Sequence, residues 1–332
     1  MKILIVRFSS IGDIVLTTPL LRAIKAQRAD LELHYLTKKS YASLLAENPH
    51  IDRLFAFDKD IREVIPQLKA ERYDLIIDLH KNIRTLRLKF ALKRPSSSFS
   101  KLNVKKWWLV NFKKDTLPNV HVVDRYYAAI APLNIVPDHS PGEVFIAEKD
   151  QIDTKAQFGV EAKSYITVAI GAQFSTKRMP EKLIAEIIDQ LKLPVLLVGG
   201  PEDRERAEKI CDLSAHSSII NTCGTLNIMQ SASVVSQSAT LLTGDTGMMH
   251  IAACFNVPIV SVWGNTVPAL GMYPYYPNHS EKYSVHQVEG LPCRPCSKIG
   301  YQACPKKHFN CMHLQNADAI AEDLIVRSEQ AH

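Results

Sequence analysis

The sequence predicts an α/β protein with two doubly wound parallel sheets. Short, almost uninterrupted apolar runs recur along the chain, which is typical of parallel strands buried on both faces. Helical patterns separate these runs, and that alternation predicts helices on both sides of each sheet. The alternation occurs in two blocks, divided by a polar, proline-containing stretch at 137–142. We therefore expect an N-terminal domain over 1–155 and a C-terminal domain over 156–332, with a cleft between them at the carboxyl ends of both sheets.

Each block predicts its own series of elements. The first begins with a buried strand at 3–6, the loop 8–13 and a helix ending near residue 27; a strand at 31–35, a helix from about 41, a strand at 54–57, a helix at 61–69 and a strand at 75–79 follow. The second block predicts strands at 165–170, 194–198, 218–221, 240–243 and 258–263, separated by helices at 181–191, 202–213, 226–237 and 248–255.

Length and composition exclude several classes of protein. With 332 residues and 46% hydrophobic content, the chain can bury two cores of ordinary domain size. The apolar run at the N-terminus is too short for a signal peptide, and no stretch is long enough to span a bilayer. We therefore expect a cytoplasmic protein whose seven cysteines stay reduced.

The net charge of +6 matters less than one basic segment. Residues 81–114 contain no Asp or Glu, and Trp107 and Trp108 lie among the basic side chains. Such a segment can serve nucleic acid, an anionic membrane surface or an anionic lipid headgroup, but it is also compatible with a solvated helix face beside packed Trp side chains. The lack of acid favours a functional anionic partner. The basic residues are Lys81, Arg84, Arg87, Lys89, Lys93, Arg94, Lys101, Lys105, Lys106, Lys113 and Lys114.

The stretch 240–253 carries the main site pattern. An apolar run ends at Asp245, and Thr246, Gly247 and a helix-forming run follow, which predicts a strand, a tight turn and a helix. The first N–H groups of a helix bind anions, and Gly247 lets a phosphate approach them. Asp245 suits sugar hydroxyls, and His250 lies on the same helical face as Thr246. Alternatively, Asp245 only caps the helix and His250 is packed or solvated.

Polar residues follow other strands of the second block as well. Lys177 suits a phosphate, and Glu202 or Asp203 suits a ribose diol. Each alone is compatible with a surface charge or a cap, but their recurrence at one sheet edge indicates a nucleotide diphosphate ligand. The chain has no Gly-x-Gly-x-x-Gly after its first strand and no P-loop, which counts against a dinucleotide enzyme or an NTPase.

The first loop holds a glycine followed by a carboxylate. Gly12 permits close approach of the backbone to a ligand, whereas the charge of Asp13 would repel a phosphate. We therefore interpret Asp13 as a general base that faces an acceptor hydroxyl, or else as a helix cap. Asp58 and Asp60 match an Asp-x-Asp metal pattern, but no supporting ligand is near in the sequence, and we interpret them as a solvated turn.

Four cysteines form the pattern C-x2-C-x7-C-x6-C near the C-terminus, with His308 and His313 nearby. This spacing is compatible with a structural zinc site and with a labile thiol cluster that holds no metal. The cysteines are Cys293, Cys296, Cys304 and Cys311.

Taken together, these motifs resemble the family 9 glycosyltransferases, the lipopolysaccharide heptosyltransferases. The resemblance is carried, in the family's order, by residues 1–19, 177–180, 199–203 and 245–253. It implies the GT-B fold, in which an N-terminal Rossmann-like domain binds the acceptor and a C-terminal one binds the nucleotide sugar. It also implies transfer of L-glycero-D-manno-heptose from ADP-heptose to the inner core of lipopolysaccharide, with inversion and with neither a catalytic metal nor another cofactor.

The resemblance also implies roles for individual residues. Asp13 is the implied general base, Lys177 neutralises the departing diphosphate, and Asp245 holds sugar hydroxyls. The implied donor site comprises Lys177, Glu202, Asp203, Asp245, Thr246, Gly247 and His250, and the implied acceptor site comprises Gly12, Lys81 and Arg84. The acceptor is an anionic glycolipid of the lipid A–Kdo type, so the resemblance implies peripheral binding to the cytoplasmic face of the inner membrane and no nucleic-acid partner.

Other functions are compatible with the same residues. A relative that uses another nucleotide sugar for O-antigen or capsule would keep the diphosphate contacts. A GT-B-fold nucleotide-sugar epimerase would not need Asp13 to deprotonate an acceptor. A non-catalytic nucleotide-binding or zinc-stabilised interaction protein would keep its role after Asp13→Asn.

Overall fold

The computed structural model describes residues 1–330. It contains two parallel sheets with helices packed on them. The predicted α/β class with two doubly wound sheets is confirmed. Residues 331 and 332 of the predicted C-terminal domain lie outside the described residues. No helix among those described combines the length and the apolar character needed to cross a bilayer.

The contacts within the chain divide it into two units. The first comprises Met1–Lys101 and Val120–Phe145, and the second comprises Leu102–Asn119 and the chain from Ile146 onward. The sequence predicts a domain boundary after residue 155. That boundary lies a few residues beyond Ile146, where the chain re-enters the second unit. The segment Leu102–Asn119 groups with the second unit, where the Lys113 ammonium donates to the carbonyl oxygens of Cys293 (3.2 Å) and Pro295 (2.7 Å).

The first unit contains a five-stranded parallel sheet. Its strands are β1 (Lys2–Val6), β2 (Glu32–Lys38), β3 (Arg53–Phe57), β4 (Leu75–Asp78) and β5 (Ser96–Ser98), in the spatial order β3-β2-β1-β4-β5. Its helices are α1 (Ile11–Val15), α2 (Thr18–Gln27), α3 (Ile65–Ala70), α4 (Ile83–Leu92) and α6 (Val122–Tyr127). Helix α5 (Asn103–Phe112), which lies between α4 and α6 in the sequence, belongs to the second unit. Successive side chains of β1 point to opposite faces, and both faces are buried: Leu4 packs with Leu88 of α4, while Ile5 is fully buried on the other side.

The second unit contains a six-stranded parallel sheet in the order β11-β10-β9-β6-β7-β8. Its strands are β6 (Ile166–Ala169), β7 (Val195–Val198), β8 (Ile219–Asn221), β9 (Thr240–Gly244), β10 (Ile259–Trp263) and β11 (Tyr283–Gln287). Its further helices are α7 (Thr154–Phe158), α8 (Glu181–Ile188), α9 (Arg204–Leu213), α10 (Ile228–Ser236), α11 (Gly247–Cys254), α12 (Asn310–His313) and α13 (Ala317–Glu329). The neighbours Leu241 and Leu242 of β9 enter different cores, one on each face of the sheet.

The structure corrects the predicted elements at four places. The helix expected to end near Gln27 is broken into α1 and α2, because Pro19 has no N–H to continue the hydrogen bonding of α1. The helix expected from about 41 is a six-residue 3-10 helix, Lys39–Leu44. Strands β5 and β11 lie at sheet edges and were not predicted, since an edge strand needs no continuous apolar run.

Candidate active site

Each sheet reverses its direction of winding at one point. In the first sheet the chain leaves β1 towards β2 and β3 and later returns to β4 on the other side, so the reversal lies between β1 and β4. In the second sheet it lies between β6 and β9. Ligands of open α/β sheets bind at the carboxyl ends of the strands that flank such a point. The loops after β1, β4, β6 and β9 are therefore the candidate site loops.

In the first unit, Arg7 joins the loops after β1 and β4. One guanidinium nitrogen, Nη2, lies 2.5 Å from Asp13 Oδ1, and the other, Nη1, donates to the Leu79 carbonyl at 2.5 Å. Ser10 donates to Asp13 Oδ2 through its hydroxyl (3.0 Å) and its backbone N–H (3.3 Å). The Asp13 carboxylate is therefore held in one orientation by three donor groups. Gly12 is buried beside it in α1.

The charge of Asp13 is stabilised although the residue lies in a crowded loop. Burial acts to raise the pKa of this carboxyl, but the Arg7 charge and the Ser10 hydrogen bonds outweigh burial and hold the pKa below its usual range. About a quarter of the side chain (25%) remains exposed. Asp13 is thus ionised at neutral pH and open to an incoming hydroxyl, but its low pKa makes it a weak base.

His80 and Arg84 lie against the same ring beside this loop. The His80 ring centroid is 4.7 Å from that of Phe8, and the Arg84 guanidinium carbon lies 5.7 Å from the Phe8 centroid. Burial and the charges of Arg7 and Lys101 lower the pKa of His80 to about 4, so its imidazole is neutral at neutral pH. A neutral imidazole and a guanidinium both offer hydrogen-bond donors to a polar, anionic ligand.

Lys81, which was predicted to meet the acceptor, belongs to the loop after β4. Its ammonium donates to the Phe99 carbonyl at 3.1 Å, and its backbone N–H donates to Asp78 at 2.7 Å. Contact of Gly12, Lys81 and Arg84 with an acceptor stays a prediction.

In the second unit, Lys177 and Asp245 join the loops after β6 and β9. Lys177 Nζ lies 2.6 Å from Asp245 Oδ2, and their side chains are only 18% and 11% exposed. Thr266, in the loop after β10, donates its hydroxyl to the same carboxylate oxygen at 2.8 Å. The pair therefore lies at the reversal point of the sheet, with a cation and a carboxylate side by side.

A glycine allows the two loops to approach each other. A Cβ added to Gly244, at the end of β9, would lie 2.6 Å from the Lys177 carbonyl oxygen. Any other residue here would push apart the loops that bring Lys177 to Asp245.

Helix α11 begins at Gly247, as the sequence predicts. Thr246 precedes it, and its hydroxyl shares a 2.9 Å hydrogen bond with the hydroxyl of Thr243, so the Thr246 side chain does not cap the helix. The N–H groups of the first turn thus have no side-chain cap and carry the positive end of the helix dipole next to Lys177 and Asp245. His250 is nearly fully buried one turn further on.

The two acidic residues after β7 differ in their surroundings. Asp203 is buried, its Oδ2 accepts from the Gly200 N–H at 3.1 Å, and a Cβ on Gly171 would lie 2.3 Å from that oxygen. Asp203 therefore fixes the turn after β7, and the missing side chain of Gly171 leaves room for its carboxylate beside the loop after β6. Glu202 is exposed and is the better placed of the two to meet a ribose diol. That contact stays a prediction.

The cysteine-rich loop is tied to the candidate site by Arg294. Its guanidinium donates to the carbonyl oxygens of Gly264 (2.6 Å) and Thr266 (2.9 Å), and Thr266 in turn orients Asp245. Cys293 Sγ lies 3.9 Å from His308 Nε2. Burial and the neighbouring thiol of Cys293 raise the pKa of Cys296 to about 11, and burial similarly raises that of Cys311 to about 11.

Zinc at the four cysteines stays a prediction. Among the described residues, the only three ligating side chains whose ligand atoms all lie within 4.8 Å of one another are Glu32, His34 and Glu71. Lys2 already pairs with both of these carboxylates, at 3.1 and 2.6 Å, so we interpret this group as an ion-pair network.

Arg7, His80 and Thr266 were missed by the sequence reasoning. Arg7 directly follows the buried run of β1, and a charged residue at that point is a signal for a site residue. His80 and Thr266 follow β4 and β10 in the same way, but nothing in the local sequence indicates which side chain each one faces.

Comparison with known proteins identifies the family of the chain. The family described as glycosyltransferase family 9 (heptosyltransferase) matches residues 61–302. Lipopolysaccharide heptosyltransferase 1 of Campylobacter coli is 24% identical over 80% of this chain and 84% of that protein. Lipooligosaccharide heptosyltransferase 2 of Haemophilus ducreyi is 27% identical over 81% of this chain and 85% of its own length.

Solved structures show the same fold. The ADP-heptose lipopolysaccharide heptosyltransferase II of E. coli superimposes with a TM-score of 0.75 at 20% identity and covers 99% of both chains. A heptosyltransferase of E. coli solved with ADP has a TM-score of 0.68 at 20% identity, over 98% of this chain and all of the other. The fold is therefore GT-B. Since the family match spans well over half of the sequence, this chain belongs to glycosyltransferase family 9, the heptosyltransferase family, and is a glycosyltransferase.

Proposed function

We propose that this glycosyltransferase moves heptose from ADP-heptose to the inner core of lipopolysaccharide, with inversion and without a catalytic metal. The observation that carries the proposal is the Lys177–Asp245 pair, 2.6 Å apart at the reversal point of the second sheet and next to the start of α11. A cation and uncapped helix N–H groups suit a diphosphate, and a carboxylate suits the sugar attached to it.

The proposed reaction assigns roles to two charged side chains, those of Asp13 and Lys177. An acceptor hydroxyl oxygen bonds to the anomeric carbon of the heptose while the bond from that carbon to the diphosphate oxygen breaks. Asp13 takes the hydroxyl proton, and Lys177 neutralises the charge on the departing ADP. Attack from the side opposite the leaving group inverts the anomeric configuration. Because the pKa of Asp13 is low, its main contribution is an oriented, charged acceptor rather than strong basicity.

The proposed acceptor is an anionic glycolipid of the lipid A–Kdo type at the cytoplasmic face of the inner membrane. Support comes from the basic segment 81–114, from Arg84 beside the Asp13 loop, and from the similarity of the chain to lipopolysaccharide and lipooligosaccharide heptosyltransferases. Peripheral attachment brings the enzyme to a substrate that does not leave the bilayer.

Nucleotide preference tests the donor. We expect ADP and ADP-heptose to raise the melting temperature by about 5 °C at a hundredfold excess over Kd, and UDP, GDP and their sugars to raise it much less. Differential scanning fluorimetry of the full chain measures this. A larger shift with UDP or GDP sugars would indicate that the enzyme uses another donor and builds another glycan. The absence of a shift with any nucleotide would contradict the proposal that the protein uses a nucleotide sugar.

Removal of divalent cations tests the metal-independent mechanism. We expect transfer in excess EDTA to equal transfer with added Mg²⁺, because Lys177 supplies the positive charge at the diphosphate. The Asp58–Asp60 motif agrees with this expectation, since Asp60 caps a 3-10 turn through the Arg62 N–H (2.9 Å) and pairs with the Arg62 guanidinium (2.7 Å). Loss of transfer in EDTA that Mg²⁺ restores would contradict the mechanism.

A further inference from the structure

Helix α5 presents its apolar side to solvent. Trp107 and Phe112 are 53% and 59% exposed, and Val104 and Trp108 are exposed with them, whereas Leu109 is buried. Trp107, Trp108 and Phe112 lie three, four and eight positions after Val104, so these four side chains share one face of the helix. Leu109 lies away from that face. This is the reverse of an ordinary surface helix, and an exposed apolar patch of this kind marks an interaction site. Trp107 and Trp108 pack against each other, but they are not buried in the protein as an ordinary packed Trp pair would be.

The exposed rings form one preassembled cluster. The Phe112 centroid lies 5.3 Å from that of Trp107 and 5.1 Å from that of Trp108, and the two Trp centroids are 6.2 Å apart. Lys113 ends the helix and donates to the Pro295 carbonyl at 2.7 Å, which fixes α5 on the second unit. Because the rings are already ordered against each other, their burial in an apolar medium costs little side-chain entropy.

Cations accompany the cluster along the sequence. Lys105 and Lys114 are exposed at either end of α5, within the acid-free segment 81–114. Trp side chains prefer the membrane–water interface, and each basic residue near an anionic bilayer contributes about 1 kcal/mol. We propose that α5 docks the enzyme on an anionic bilayer by inserting Trp107, Trp108 and Phe112 between lipid headgroups. The proposal builds on the proposed function in that a lipid-linked acceptor places the enzyme at a membrane.

Helix α4 of the first unit independently has the same character. Ile83, Leu86 and Phe90 are exposed on it, whereas Leu88 is buried. Arg87 is exposed as well, so apolar and cationic side chains again face solvent together. An apolar face with cations at its margin suits an anionic lipid surface better than a polar nucleic-acid backbone, which would leave Ile83, Leu86 and Phe90 without a partner.

Tryptophan fluorescence of the full chain tests the insertion. The sequence has three Trp residues, and the third, Trp263, is fully buried and serves as an internal reference. We expect vesicles of phosphatidylethanolamine and phosphatidylglycerol to shift the emission to shorter wavelength and to bind the protein in a flotation assay. Phosphatidylcholine vesicles should bind much less, and brominated acyl chains should quench the shifted emission.

A double variant, Trp107→Ser with Trp108→Ser, should weaken binding to the anionic vesicles at least about tenfold, because two large apolar side chains no longer leave water. Leu213→Ser, which removes an exposed apolar side chain from helix α9, where acidic and basic residues balance, is the matched control and should bind like the wild type. Absence of vesicle binding by the wild type, or equal binding by wild type and double variant, would overturn the proposal. A change from dimer to monomer in the double variant, with unchanged vesicle binding, would also overturn the proposal. That result would show that a second copy of the chain covers this face.

Transfer to a water-soluble, deacylated acceptor separates this proposal from the proposed function. The double variant should transfer to that acceptor at the wild-type rate, because α5 is assigned no part in the chemistry. If wild type fails to transfer heptose but still inserts its Trp residues into vesicles, the proposed function fails and the docking proposal stands. If transfer proceeds but no vesicle binds, only the docking proposal fails.

Discussion

Replacing Asp13 by Asn should lower kcat about a hundredfold and leave the affinity for ADP-heptose nearly unchanged. General bases contribute about 10²- to 10⁴-fold, and the low pKa of Asp13 places its contribution near the lower limit. Donor affinity should persist because the proposed donor contacts lie in the second unit. Steady-state kinetics, together with calorimetric titration of the donor, measure the two effects. An unchanged kcat would remove Asp13 from the role of base.

The substitution also leaves the buried Arg7 guanidinium, 9% exposed, without its counter-charge. We expect a loss of stability of about 1–3 kcal/mol, less than for a fully buried pair because Asp13 is partly exposed. Kinetics should therefore be recorded well below the melting temperature of the variant. Asp58→Asn removes an exposed carboxylate of the same unit and should change neither activity nor stability, so an equal loss in both variants would point to a general charge effect.

The pH dependence gives a second readout of Asp13. Because its pKa in the folded protein is lower than in the unfolded chain, its ion pair contributes stability above the unfolded pKa, and that contribution is lost as pH falls through the folded pKa. The carboxylate therefore stays ionised throughout the pH range in which the enzyme is assayed. We expect no acid-side loss of kcat from Asp13 near neutral pH. A loss of kcat between pH 6 and 7 that disappears in Asp13→Asn would contradict the low pKa.

Replacing Lys177 by Met should reduce kcat about 10²- to 10³-fold and weaken binding of ADP as well as ADP-heptose. A preorganised cation that meets charge developing on the leaving group is worth about as much as one oxyanion donor. The side chain is only 18% exposed, so its charge is poorly screened by water. Lys182→Met, at an exposed lysine of the same unit, is the matched control and should behave like wild type. Normal turnover in Lys177→Met would remove Lys177 from the leaving-group role.

The partner substitution distinguishes the two members of the pair. Asp245→Ala should weaken binding of ADP-heptose more than binding of free ADP, since the carboxylate is assigned to the sugar. Equal losses for both ligands would mean that Asp245 acts only by orienting Lys177 across the 2.6 Å contact. A double-mutant cycle with Lys177→Met measures that coupling directly.

Local patterns were sufficient for the fold class, for most strands and for the family. The buried strands β1, β6 and β9 appear as apolar runs because both of their faces are covered, and the start of α11 follows from Gly247. Asp13, Lys177 and Asp245 could be selected because the loops that follow buried parallel strands collect at one edge of a sheet. These signals need only neighbours along the chain.

Tertiary structure alone decided which of those residues lie in contact. Arg7 meets the loop after β4, and Lys177 meets Asp245, only because the strand orders place β1 beside β4 and β6 beside β9. Strand order depends on contacts between segments far apart in the sequence, which no local pattern records. The exposure of Trp107 has the same origin, because α5 has apolar residues on both sides and packing determined that Leu109 would be the one to face the protein.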